Sequence, residues 1–193
     1  MRVLTIDQSM ASCAYVVLDG IEPIYKEVLH TTGSSNAKDW QVWFKNPVEQ
    51  MDYISTAILE TAKSFKVEKI VLESLSFGSA GNATRDLAGL FFCIQLTLVR
   101  NGYSMDDIGT IAPTSVKSWA RGKLPGEQQE VINDKGKMVL KKMGKDEMME
   151  VCELLQPGFL AGYNKSGKFG GSTDLADAYL IGRCYIERNG FQN

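Results

Sequence analysis

The chain has 193 residues, of which 44% are hydrophobic and 23% charged, with a net charge of −2. These values are ordinary for a globular protein, and the near-neutral total requires any nucleic-acid partner to be met by a local basic face. The four cysteines (Cys13, Cys93, Cys152, Cys184) contain no closely spaced pair, which argues against a zinc site and for buried, reduced thiols. The single histidine, His30, cannot build a multi-histidine metal centre and reads as a strand-end residue. No signal-peptide pattern opens the chain and no apolar run is long enough to span a bilayer, so a soluble, cytoplasmic protein is expected, with no membrane partner.

Residues 2–7 read as a short strand ending on Asp7. A small polar turn (8–12) leads into a second strand (13–18), Asp19-Gly20 signals a hairpin, and 24–29 form a third strand. Short turns between them predict an antiparallel meander. Residues 31–38 are a polar loop. From Trp40 to Lys66 apolar residues recur at helical spacing (Val48, Met51, Ile54, Ile58, Leu59), with Pro47 near the helix start. Residues 68–73 form a fourth strand ending on Glu73. A Ser/Gly loop with Phe77 follows, then a helix (83–101) closed by Asn101-Gly102. Residues 107–111 make a fifth strand, stopped by Pro113, and 114–120 a short helix. Residues 121–136 read as a flexible charged excursion. A helix at 145–155, a Gly/Lys/Tyr-rich loop (160–171) and a final helix (172–188), with Ser172 or Thr173 as N-cap, complete the chain. This order predicts one α/β domain over residues 1–193, a mixed five-stranded sheet with helices on both faces.

Asp7 and Glu73 each end a strand, so if those strands are neighbours both carboxylates leave the sheet at one edge. Asp174 and Asp177 stand at i and i+3 on one face of the final helix. Each alone has a structural reading: turn chemistry for a strand-end aspartate, a loop cap for Glu73, dipole pairing for Asp174. Together, four carboxylates repel one another unless cations lie between them, and hard divalent ions such as magnesium take oxygen ligands. The set points to a two-metal phosphodiester hydrolase.

Ile6-Asp7-Gln8-Ser9 followed by Ala14-Tyr15-Val16-Val17, Val71-Leu72-Glu73, Ala112-Pro113-Thr114-Ser115-Val116-Lys117 and Thr173-Asp174-Leu175-Ala176-Asp177-Ala178 resemble the RuvC-type Holliday junction resolvases of the RNase H-like superfamily. The Asp-x-x-Asp-Ala and Pro-x-x-Val-Lys matches are the more telling. The resemblance implies an RNase H-like sheet, a homodimer, and nicking of branched DNA with two Mg2+ ions per site (Mn2+ substituting), held by Asp7, Glu73, Asp174 and Asp177 as catalytic and metal-binding residues. Residues 121–145 look longer than in compact bacterial members.

Eight basic residues lie between Lys117 and Lys145. Lys117, Arg121, Lys123, Lys142 and Lys145, with Lys168 near Asp174, are the candidate DNA-binding set; the alternative is a solvated charged loop. Phe77 either stacks on an unpaired base, as the resemblance implies, or folds back on the core. The helix at 83–101 is apolar nearly all round, which calls for a second partner: a second copy of the chain, or the chain's own later helices. Function therefore reads as resolution of four-way or other branched DNA. The alternatives are another RNase H-like nuclease acting on RNA–DNA hybrid or single strands, and a silent junction-binding protein. An actin-like nucleotide-binding domain would want glycine-rich phosphate loops and a longer chain.

Overall fold

The computed structural model describes residues 1–75 and 81–190. Its frame is a six-stranded sheet with strand order β4-β3-β2-β1-β5-β6. Strands β1 (Arg2–Asp7), β2 (Ser12–Asp19) and β3 (Glu22–Thr32) form the expected antiparallel meander. β5 (Lys69–Glu73) joins β1 in parallel and β6 (Ile108–Ile111) joins β5 in parallel. The sixth strand is the short β4 (Val42–Trp43), parallel to the end of β3. It lies in the segment whose apolar spacing suggested a helix from Trp40. The helix α1 instead starts at Pro47 and runs to Ser64, because Asn46 caps it by accepting from the Glu49 amide at 2.9 Å. Proline fits the first helical turn, where no amide partner is needed.

Alternation along the strands sorts side chains into two layers. Leu4, Ile6, Tyr15, Val17, Ile70 and Leu72 face α1 and α2 (Asn82–Arg100). Val3, Ala14, Val16, Leu18 and Val71 face the opposite layer of α3 (Pro113–Arg121), α4 (Lys145–Leu155) and α5 (Ser172–Arg188). Both layers are continuous apolar clusters, so the sheet is covered on both faces. α5 lies closest: a Cβ on Gly182 would stand 2.5 Å from Leu18 Cδ1 and 2.6 Å from Thr5 Cγ2. Thr5 Oγ1 also donates to the Ala178 carbonyl at 2.7 Å, fastening the helix to β1.

Two local expectations need correction. The segment after α3 is not an open excursion. It folds a short 3-10 turn (Gly126–Gln128) and an antiparallel ribbon of β7 (Glu130–Ile132) and β8 (Met138–Leu140), outside the main sheet. The N-cap of α5 is Gly171, at φ 101°, rather than Ser172 or Thr173. A Cβ there would meet Val28 at 2.8 Å, and the backbone is left-handed, so glycine suits the position on both counts. All four cysteines are unpaired, and His30 packs edge-on against Trp40 at 5.0 Å. Among the described residues no helix is long and apolar enough to cross a membrane.

Candidate active site

The parallel register sets Ile6 beside Leu72 at the ends of β1 and β5, so Asp7 and Glu73 follow on adjacent strands. Both side chains emerge on the α5 side, because Asp7 continues the alternation of Val3 and Thr5, and Glu73 that of Lys69 and Val71. Gln8 locks the two strand ends. Its amide nitrogen donates to the Glu73 carbonyl at 2.6 Å, and the Glu73 amide donates to its Oε1 at 3.2 Å. From the first two turns of α5, Asp174 and Asp177 stay partly exposed while Leu175, Ala176 and Ala178 are buried. Asp174 is oriented from two sides: Ser12 Oγ donates to its Oδ2 at 2.6 Å, and Thr173 Oγ1 to its Oδ1 at 3.1 Å.

The carboxylates share one electrostatic environment. Burial, followed by the charges of Asp177, Glu73 and Asp174, holds Asp7 well above the ordinary aspartate range. Burial and Asp177 push Glu73 up to about 7, against the pull of Lys117. Burial pushes Asp177 up to about 6, with Asp174 adding to the rise and Lys117 and Lys145 opposing it. Desolvation and like charge both disfavour ionisation, so the cluster lacks positive charge. Its oxygen-only donor set suits a hard divalent cation. Among the described residues no three or more His, Cys, Asp or Glu side chains already close into a metal-holding group.

The expected basic residues divide. Lys117 on α3 and Lys145 at the start of α4 stand close enough for their charge to oppose the upward shifts of the carboxylates. Lys142 is exposed three residues before Lys145, and Lys168 is exposed beside the Phe169 ring. Lys123 is engaged within the protein: it contacts both Glu187 oxygens at 2.7 Å and sits 4.9 Å over Trp119. Arg121 donates its Nε to the Lys141 carbonyl at 2.8 Å, bracing the ribbon. Phe77 lies outside the described residues. Gln8 and Ser12 are the contributors that sequence reasoning missed as site residues. They stand in a polar turn beside Asp7, and only the pairing of distant elements assigns them partners.

No family model and no curated protein matches the chain. Among solved structures it is similar to Thermus thermophilus RuvC, alone and in complex with Holliday junction substrate. Each of these has 16% identity and a TM-score of 0.63, over 98% of this chain and 97% of the other. The yeast mitochondrial Holliday junction resolvase Ydc2 matches with 16% identity and a TM-score of 0.56, over 98% of this chain and 79% of the other. Sheet order, two covered faces and end-to-end likeness agree: the chain has the RNase H-like fold of the RuvC-like resolvases.

Proposed function

We propose that this protein is a structure-selective endodeoxyribonuclease that resolves four-way junctions or related branched DNA by divalent-metal-dependent hydrolysis. The observation that carries the reading is the convergence of Asp7, Glu73, Asp174 and Asp177 from β1, β5 and α5 at one end of the sheet. The likeness to a RuvC structure that holds a Holliday junction supports the substrate class.

The four carboxylates would hold two Mg2+ ions, which supply Lewis acidity to activate the attacking water and stabilise the leaving 3′-oxygen. The chain's own part is positioning. Gln8 fixes the β1 and β5 ends so that Asp7 and Glu73 are presented from a rigid sheet edge. Ser12 and Thr173 aim Asp174. Lys117 and Lys145, whose charge acts on the carboxylates, would meet the substrate phosphate, and Lys142 would extend that basic border. The P–O3′ bond breaks, leaving a 5′-phosphate and a 3′-hydroxyl, and no side chain forms a covalent intermediate.

The enzyme would act as a homodimer. Phe92, Leu96 and Val99 stand at i, i+4 and i+7 of α2, exposed on its outer side although α2 packs on α1 and the sheet with its other face. A two-fold pairing of that stripe would present two active sites to a branched substrate of matching symmetry.

The test is cleavage of a four-way junction, a linear duplex and an RNA–DNA hybrid in Mg2+ or Mn2+, with nick positions mapped. Paired nicks flanking the junction centre are expected. Preferential cutting of the hybrid would replace the junction reading with a hybrid-specific nuclease. Binding without cutting in either metal would replace it with a silent junction binder.

A further inference from the structure

The β7–β8 ribbon covers no core. Its register pairs Glu130 with Leu140, Val131 with Val139 and Ile132 with Met138. Cross-strand partners share a face, so Ile132, Met138 and Leu140 stand on one largely apolar face, with Glu130 at its base end and exposures of 70%, 60% and 61% for the three apolar groups. An isolated two-stranded hairpin is marginal in water, yet this one is braced at both ends. At the turn, Asn133 Oδ1 accepts from the amides of Lys135 and Lys137, each at 3.0 Å, and Gly136 takes φ 71°. At the base, the Lys141 amide donates to the Gln129 carbonyl at 2.8 Å, and Arg121 holds the Lys141 carbonyl. An apolar face held out on a braced stalk calls for a partner.

Its position and charge select that partner. The stalk rises from α3 and returns into α4, the helices that carry Lys117 and Lys145 to the carboxylates. Leu140 is five residues from Lys145, within about 18 Å even for a fully extended chain. Lys135 and Lys137 flank the tip and Lys142 the base, while Lys141 is paired with Glu150 at 3.7 Å; Glu130 and Asp134 oppose them. A lysine-bordered apolar face suits nucleic acid better than another apolar protein surface. The exposed stripe of α2 lies in the other layer of the sheet, so pairing of two copies there leaves the ribbon uncovered.

We infer that the ribbon is a branch-point wedge: Ile132 and Met138 insert against unstacked bases while Lys135 and Lys137 contact the flanking phosphates. Apolar wedges in DNA-binding proteins offset the cost of unstacking a base step. At a branch that cost is lowest, so the wedge contributes selectivity for branched over linear DNA. The inference rests on the branched-DNA reading above and adds to it a recognition element distant in sequence from all four carboxylates.

The full-length protein and its Ile132→Ser/Met138→Ser variant are compared in EDTA. The probes are a four-way junction carrying 2-aminopurine at the branch and a linear duplex of equal length. The wild type is expected to raise the 2-aminopurine fluorescence. The variant should lose most of that rise and bind the junction about tenfold more weakly, with duplex binding and unfolding midpoint nearly unchanged. A variant that keeps both the fluorescence rise and the junction preference overturns the wedge. A variant whose main defect is loss of self-association in sedimentation also overturns it, because the face would then belong to a second copy. Cleavage by the wild type in Mg2+ is scored separately. Junctions cut normally by a variant with unaltered fluorescence remove the wedge and leave the nuclease. Junctions unstacked through Ile132 and Met138 but uncut in Mg2+ or Mn2+ support the wedge and remove the nuclease.

Discussion

Asp7 and Glu73 owe their positions to backbone pairing and the Gln8 clip, whereas Asp174 is aimed by hydroxyls on Ser12 and Thr173. Asp7→Asn or Glu73→Gln should therefore abolish cleavage yet leave junction binding intact; unchanged cutting by either variant removes that residue from the mechanism. Both variants should also raise the metal-free unfolding midpoint, since each removes a buried charge that the fold disfavours. The pH dependence follows from the same cause. Glu73 is held near 7 and Asp177 near 6 in the folded protein, against ordinary values of 4.5 and 3.8. Between the two sets of values the folded state keeps protons that the unfolded chain has released, so stability falls as pH rises through that window. Below it both states are protonated and the cluster contributes nothing; above it the full penalty stands. In EDTA the wild type should lose more unfolding midpoint between pH 5 and 7.5 than Glu73→Gln does, and Mg2+ should reduce the loss. Equal slopes for the two proteins would mean the carboxylates do not share one environment.

At the scale of elements, α5 is the part on which the site most depends. It brings two carboxylates, and its approach to β1 and β2 is set by Gly182, which leaves no room for a Cβ between Leu18 and Thr5. Thr5 cannot yield easily, being β-branched and hydrogen-bonded to Ala178. Gly182→Ala should cost about 1–3 kcal/mol by urea unfolding and reduce cleavage by moving Asp174 and Asp177 off the strand ends. An unaffected variant would show that α5 can shift without consequence. On the other face, α2 carries the exposed Phe92, Leu96 and Val99 stripe. Phe92→Glu/Leu96→Glu should yield a monomer by sedimentation that still folds, since the replaced groups are exposed in the single chain, with a midpoint lowered only by the loss of self-association. A persistent dimer would place the two-fold seam elsewhere.

At the scale of the whole molecule, a net charge of −2 conceals an uneven distribution. Four carboxylates gather at the sheet edge with Lys117 and Lys145 near them, and further lysines stand along the ribbon. Binding should weaken as salt rises, and Lys142→Ala should lower the log–log salt slope by about one. Lys123→Ala should leave that slope alone, because its ammonium is paired with Glu187 and covered by Trp119. A slope change for Lys123→Ala and none for Lys142→Ala would reverse this assignment of the basic face.

The local code of the chain was enough for five of the six strands of the main sheet, the meander, α4, α5 and the α/β class, but not for β4 or the ribbon. Strand alternation, turn residues and helical spacing are short-range signals, and they hold in these elements, whereas helical spacing misled between Trp40 and Pro47. The four carboxylates were legible as candidates for the same reason: they stand at element ends or at i and i+3. Their meeting was not local. It depended on β1 and β5 becoming neighbours and on α5 crossing them through the gap at Gly182. The same holds for Gln8 and Ser12, whose partners are 65 and 162 residues away. The ribbon shows the opposite case. Its short strands offered too little periodicity to separate them from a loop, and the cross-strand register is what put Ile132, Met138 and Leu140 on one exposed face. Sequence alone determined which groups could do the chemistry; the tertiary structure decided which of them share a site, because burial and charge coupling act through space rather than along the chain.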